Sequence, residues 1–185
     1  KGNVNGHIIR VAQANPPAAA FTWDIYLFAS EADADKTRVN LSNLTDDNDM
    51  SAPDGLVFSP STGICWIQTD DGAMTDKTNC MLLAAVPGTV GDGSTRTLTY
   101  KRSDGSEKQL TTPMGKAQSP GILKRFLVGP VNCEITGLCE SPDGRAMFIN
   151  IQHPGELTAM VDIGNPAKYT SHWPANAGYG AGRRP

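Results

Sequence analysis

The chain has 185 residues, with 16 Lys and Arg against 19 Asp and Glu, for a formal net charge of −3. That length fits one ordinary domain or a part of a larger one, and the near-neutral balance argues against the basic surface of a dedicated nucleic-acid binder and against an acidic solvating tail. Hydrophobic residues at 39% supply a lean core, while 19 Gly and 13 Pro imply many turns.

The chain opens at Lys1 without an initiator Met, and no charged stretch followed by an apolar one marks a signal peptide. No apolar run approaches the ~18 residues that cross a membrane. Both ends read as cut. Strand-like runs bounded by Gly, Pro, Asn and Asp then follow one another. They cover 7–12, 21–28, 56–59, 64–69, 80–86, 95–101, 108–112, 123–128, 135–140 and 146–152. The best helical candidate is the short acidic run 29–36. Short strands with short connections indicate an all-β fold.

One pattern occurs twice. Asp54-Gly-Leu-Val-Phe-Ser-Pro60 leads through a Ser-Thr-Gly turn into Ile64-Cys-Trp-Ile-Gln68. Thr136-Gly-Leu-Cys-Glu-Ser-Pro142 leads through Asp-Gly into Ala146-Met-Phe-Ile-Asn-Ile-Gln152. Each is a strand, a tight turn and a second strand with aromatics, the hairpin unit of a β-propeller blade. The copies are separated by nearly twice the roughly 40–50 residues of one blade. The polar stretch 88–120, centred on Ser103-Asp-Gly105, reads as an inserted hairpin that accounts for the excess. Without it, 80–86 and 123–128 become the third and fourth strands of the blade opened at Asp54. Strands 7–12 and 21–28 become the outer pair of a preceding blade, and 134–152 the first pair of a following one. The expectation is a partial β-propeller of about two blades' worth of strands, with residues 1–185 a C-terminal piece of one propeller domain.

Chemistry-bearing motifs are sparse. There is no G-x-S-x-G, Walker loop or H-E-x-x-H. Cys65, Cys80, Cys133 and Cys139 form no C-x-x-C pair, which argues against zinc. They read as buried free thiols, with a disulfide open in an oxidising compartment. Carboxylates at strand starts carry more. Asp54 opens the first strand of one blade and Glu134 lies just before the matching strand of the next, and hard cations such as calcium take oxygen ligands from different elements. Asp54 could equally be a turn residue and Glu134 an ion-pair partner. Asp143 reads as structural. Asp70 and Asp71 read as turn acids, with a second calcium as the alternative. Asp46, Asp47 and Asp49 resemble a calcium loop only loosely. His153 reads as structural, and Trp23 and Trp66 as core.

In order along the chain stand Gly6-His-Ile-Ile-Arg10, Phe21-Thr-Trp-Asp-Ile25, Pro53-Asp-Gly-Leu56, Trp66-Ile-Gln-Thr-Asp70, Arg125-Phe-Leu-Val-Gly-Pro130, Cys133-Glu-Ile-Thr-Gly137 and Met147-Phe-Ile-Asn-Ile-Gln-His-Pro-Gly-Glu156. Together they resemble the C-terminal part of the PhoX-type bacterial alkaline phosphatases. The resemblance implies a six-bladed propeller and hydrolysis of phosphate monoesters at calcium and iron, after export to the periplasm or outside. It implies that Asp54 is a metal-binding carboxylate and that Glu134 belongs to a family motif. It gives no iron ligand among the four cysteines, since the family's iron-binding Cys and its Arg-x-Glu motif precede the matching region. The missing N-terminal blades would then be this chain's partners, and the isolated chain should be inactive. The alternatives are a non-catalytic calcium-binding propeller scaffold and another propeller hydrolase, a lactonase or a phytase.

Overall fold

A computed structural model describes residues 3–15, 19–72 and 77–175. Ten strands and almost no helix make the fold all-β. They are β1 (His7–Ala12), β2 (Thr22–Phe28), β3 (Pro53–Phe58), β4 (Cys65–Thr69), β5 (Met81–Ala85), β6 (Thr95–Lys101), β7 (Glu107–Pro113), β8 (Leu123–Val128), β9 (Glu134–Glu140) and β10 (Met147–Gln152). Two single 3-10 turns, Met160–Asp162 and Pro166–Lys168, follow.

The strands make four small antiparallel sheets, none closed: β1-β2, β3-β4-β5-β8, β6-β7 and β9-β10. The four-stranded order is a meander in which β6-β7 leaves the chain between β5 and β8 and pairs only with itself. All five residues of β4 are buried, so both faces of its sheet are covered. On one face Cys65, Ile67, Met81 and Leu83 pack against Tyr26 and Leu27 of β2. On the other, Trp66 and Leu82 pack against Ile135, with Leu138, Ile149 and Ile151 alongside. Three sheets are therefore stacked face to face around two apolar layers. Full burial of side chains such as Ile67, Leu82 and Leu83 contributes roughly 1.5–3 kcal/mol each. A third cluster, Ile25, Phe28, Leu41, Leu98 and Met114, seats the β6-β7 hairpin on β2.

The expected helix over 29–36 is absent; the segment forms turns and a bridge from Ser30 to Met50. The Asp35 carboxylate accepts from the Thr37 amide at 2.7 Å and hydroxyl at 2.6 Å. This local bonding competes with helix propagation. Cys65, Cys80 and Cys133 are buried free thiols as expected, but Cys139 is free and exposed, on the outward face of β9. Trp23 is also not core: it lies 43% exposed on β2.

Candidate active site

Two strand starts meet at one end of the stacked sheets. Ahead of β3, Ala52 adopts a left-handed backbone, φ 46°. Its amide donates to the Asn5 carbonyl at 2.8 Å and its carbonyl accepts from the Asp70 amide at 3.1 Å. The chain from β1 and the end of β4 thus fix where β3 begins. Asp54 follows, exposed, at an irregularity where Pro53 pairs with Thr69 and Leu56 with Ile67. At Gly55 a Cβ would stand 2.8 Å from Gln68 Oε1, so a larger residue there would displace that side chain. Gln68 is buried, and its Oε1 has no hydrogen-bond partner.

Glu134 begins β9, opposite Gln152 of β10, and is only 9% exposed. Asn132, two residues earlier, is left-handed at φ 53°. Burial pushes the Glu134 carboxyl pKa up, the neighbouring carboxylates of Asp70 and Asp54 push it further, and His153 opposes them. Asp54 and Glu134 are therefore brought within electrostatic reach of each other, and Asp70 joins them. By hairpin register, however, the residue equivalent to Asp54 is Thr136, at the corresponding irregularity of β9, and not Glu134.

His153 sits at the end of β10 with φ 36°. Its Nε2 lies 3.5 Å from Glu134 Oε2 and its Nδ1 3.4 Å from Glu156 Oε2. A left-handed backbone at a non-glycine residue costs about 1 kcal/mol or more and persists where surrounding structure enforces it. Here the Gly155 amide donates to Val131 at 3.0 Å and the Glu156 amide to Asn132 at 3.3 Å, tying the turn to the loop that leads into Glu134. Left-handed residues thus stand beside three of these groups: Ala52 before Asp54, Asn132 before Glu134, and His153 itself. His153 pairs with the carboxylates of Glu134 and Glu156, in keeping with its reading as a structural residue. Asp70 and Glu156 also belong here. The signals for them lay in Gln-Thr-Asp70 and in His-Pro-Gly-Glu156, whose proximity needs the fold.

The carboxylates of Asp49 and Asp143 are occupied elsewhere. Arg125 grips Asp49 and donates to the carbonyls of Asp46 and Asp49, while its own amide donates to the Asp47 carbonyl, so that loop is anchored to β8. Asp143 accepts from Ser141 and the Arg145 amide in the turn before β10, which lowers its pKa. The Asp71 amide donates to Cys80 Sγ. Trp66 is buried edge-on to Phe126, its Nε1 donating to Glu140 Oε1 at 3.0 Å.

Carboxylate oxygens are the donor type that a hard cation takes, but those of Asp54, Asp70 and Glu134 are not arranged as a complete centre. Asp54, Asp70 and Glu134 offer carboxylate oxygens, and an added positive charge would relieve their mutual repulsion. The buried cysteines do not suit iron bound through thiolate: burial pushes Cys65 up to about 11, Cys133 up to about 12, and Cys80 in the same direction. Among the described residues no three His, Cys, Asp or Glu side chains complete a metal centre. The family model for alkaline phosphatase PhoX matches residues 1–155.

The chain belongs to the PhoX family. No curated protein and no solved structure matches it. Asp54, Asp70, Glu134 and His153 fall inside the PhoX match, whereas Glu156 and the 3-10 turns fall after it. Membership in PhoX suggests a phosphomonoesterase that depends on metal. No helix among the described residues is long and apolar enough to cross a membrane.

Proposed function

We propose that this chain is the C-terminal part of a calcium-dependent phosphomonoesterase built on a β-propeller, exported to the periplasm or beyond. The observation that carries the reading is the match of residues 1–155 to the PhoX family model, within which Asp54 and Asp70 are close enough to Glu134 to raise its pKa. The face-to-face stacking of β1-β2, the four-stranded sheet and β9-β10 supports the propeller, since neighbouring blades pack in that way. Residues 88–120 then form an insertion within one blade. Asp54, with Glu134 and Asp70 beside it, would hold calcium. Calcium when bound supplies charge that neutralises phosphate oxygens and stabilises charge developing in the transition state. The protein's own contribution is to set Asp54 and Glu134 at strand starts and Asp70 just after the end of β4, with Glu134 buried. The isolated 185-residue chain is expected to be inactive.

The test is phosphate release from an aryl phosphate by the full-length protein, with calcium and after chelation. Calcium-dependent hydrolysis that falls at least ~10-fold in Asp54→Ala is expected, the scale of losing a metal-site group. Absent or calcium-independent hydrolysis overturns the reading, and full activity in Asp54→Ala removes that residue from the site.

A further inference from the structure

The β6-β7 hairpin leaves one strand edge open. β7 has neighbours: Met114 at its exit bridges Ile25 of β2, and Glu107 near the tip meets Arg38 at 2.8 Å. Among the described residues β6 pairs with β7 alone, from Thr95 to Lys101 and without a bulge. The main chain shows which groups that edge presents. The Arg102 amide donates to the Ser106 carbonyl at 2.8 Å, and the Met114 amide to the Ser94 carbonyl at 3.2 Å. Both bonds keep the hairpin's register, so the even-numbered residues of β6 bond to β7. Thr95, Thr97, Thr99 and Lys101 therefore turn their N–H and C=O groups away from it. A straight edge of this kind is a template for another strand.

The strand's own sequence says which strand fits. Thr95-Arg-Thr-Leu-Thr-Tyr-Lys101 is nearly symmetric about Leu98. Laid antiparallel on a second copy, with Leu98 opposite Leu98, it overlaps along its whole length. Outward N–H groups then meet outward C=O groups. Thr97 faces Thr99 of the second copy, a favourable β-branched pair. Arg96 faces Tyr100, whose ring can take a guanidinium over its face. Lys101 faces Thr95, so no like charges oppose each other. Other two-fold registers are worse: centring on Thr99 sets Arg96 against Arg102, and centring on Thr97 sets Lys101 against Gly93. Leu110 lies opposite Leu98 within the hairpin and is 48% exposed, with Tyr100 39% exposed on the same face. Edge pairing thus continues one apolar stripe across both copies. It also puts the two hairpin roots at opposite ends of the joined sheet.

We propose that β6 is the interface of a two-fold homodimer, in which two copies join edge to edge into a β7-β6-β6-β7 sheet centred on Leu98. Such an interface is self-complementary, as a two-fold contact must be. The dimer needs no metal and stands apart from the calcium reading.

The experiment is sedimentation velocity of the full-length protein over a concentration series. Wild type should pass from monomer to dimer as concentration rises. Thr97→Pro removes an outward N–H that β7 does not use, at an edge position where proline is tolerated. It should move the midpoint at least ~10-fold higher in concentration, the scale of losing a hydrogen bond on each side of the two-fold, with the melting temperature close to wild type. Thr97→Lys with Thr99→Lys sets like charges opposite each other, as does Thr97→Glu with Thr99→Glu. Each double variant alone should stay monomeric, and an equimolar mixture of the two should form mixed dimers. A wild-type protein that stays monomeric overturns the proposal. So does a dimer that survives both Thr97→Pro and the paired lysines, and so does a mixture of the charged variants that fails to associate.

Discussion

Arg10 is where the β1-β2 sheet meets the loop that leads to the β6-β7 hairpin. Its guanidinium makes a two-pronged contact with the fully buried Asp24, at 2.9 and 2.6 Å. It also reaches Asp92 at 2.7 and 3.1 Å and the Pro87 carbonyl at 2.7 Å, and lies over the Tyr26 ring. Burial opposes its charge, but the two carboxylates outweigh that and raise its pKa. Hydrogen bonding to Arg10 holds the Asp92 carboxyl down at about 2, against burial, with amides of Thr89 and Lys116 helping. A carboxyl depressed in the folded state stabilises that state above its unfolded pKa of 3.8, and the contribution is lost as pH falls through about 2. Asp92→Asn should therefore cost about 2 kcal/mol near neutrality, the scale of hydrogen bonds to a charged group. The cost should shrink between pH 4 and pH 2, bringing the two proteins together. Urea unfolding of wild type and variant across that range measures it, and parallel pH profiles would show that Asp92 is not the titrating partner.

The β6-β7 hairpin is held at its root, with Leu98 packed in mid-strand and Arg38 paired to Glu107 toward the tip. Met114 bridges Ile25 in parallel, and the Gly115 amide donates to the Ile25 carbonyl at 2.8 Å, so the exit of β7 covers the free edge of β2. A covered edge cannot template pairing with another chain. Gly93 makes this closure possible. A Cβ there would stand 2.3 Å from the Met114 carbonyl oxygen and 2.4 Å from the Gly115 carbonyl carbon, both backbone atoms that cannot swing aside. Gly93→Ala should lower stability by about 1–3 kcal/mol, as overpacking does. Gly105→Asn at the open hairpin tip, where φ is 84° and no atom crowds the Cβ, should change little. Equal melting temperatures for the two variants would refute the closure. Each of the ten strands was legible, because alternation and turn residues are local signals. Boundaries moved by at most one residue except at β3, which begins three residues earlier than expected, and the pairing of β5 with β8 across the hairpin followed from the repeated Ser-Pro turns. The 29–36 segment was misread because an acidic side chain bonding its own backbone mimics a helix start. Asp54 and Glu134 were legible as strand-start acids. Asp70 was legible only as an alternative, and the contacts of His153 with Glu134 and Glu156 were not legible, since they depend on left-handed turns at Asn132 and His153 that no glycine announces.

At the scale of the whole molecule, the stack has two outer faces whose apolar residues are exposed among the described residues. Across β1 and β2, Val11 pairs directly with Trp23, and both are exposed, as are Ile9 and Phe21. At the other end of the stack, Phe148 is 68% exposed and pairs with the exposed Cys139. The inner faces of the same two hairpins are well packed: Tyr26 and Leu27 lie in one apolar layer, Ile135 in the other. Apolar side chains on both faces of a hairpin are the pattern of a strand pair buried between neighbours. A propeller would place a further blade on each outer face. In the isolated 185-residue chain those faces meet water, so the chain should self-associate through them, with free strand edges at β1 and β10 adding a route to pairing. Sedimentation velocity of the isolated chain should show oligomers that grow with concentration. The double variant Val11→Lys and Phe148→Lys alters only outward side chains and should shift the distribution toward monomer while the melting temperature holds. A monodisperse wild-type monomer would mean that these faces need no neighbours, and the propeller reading would lose its main support at this scale.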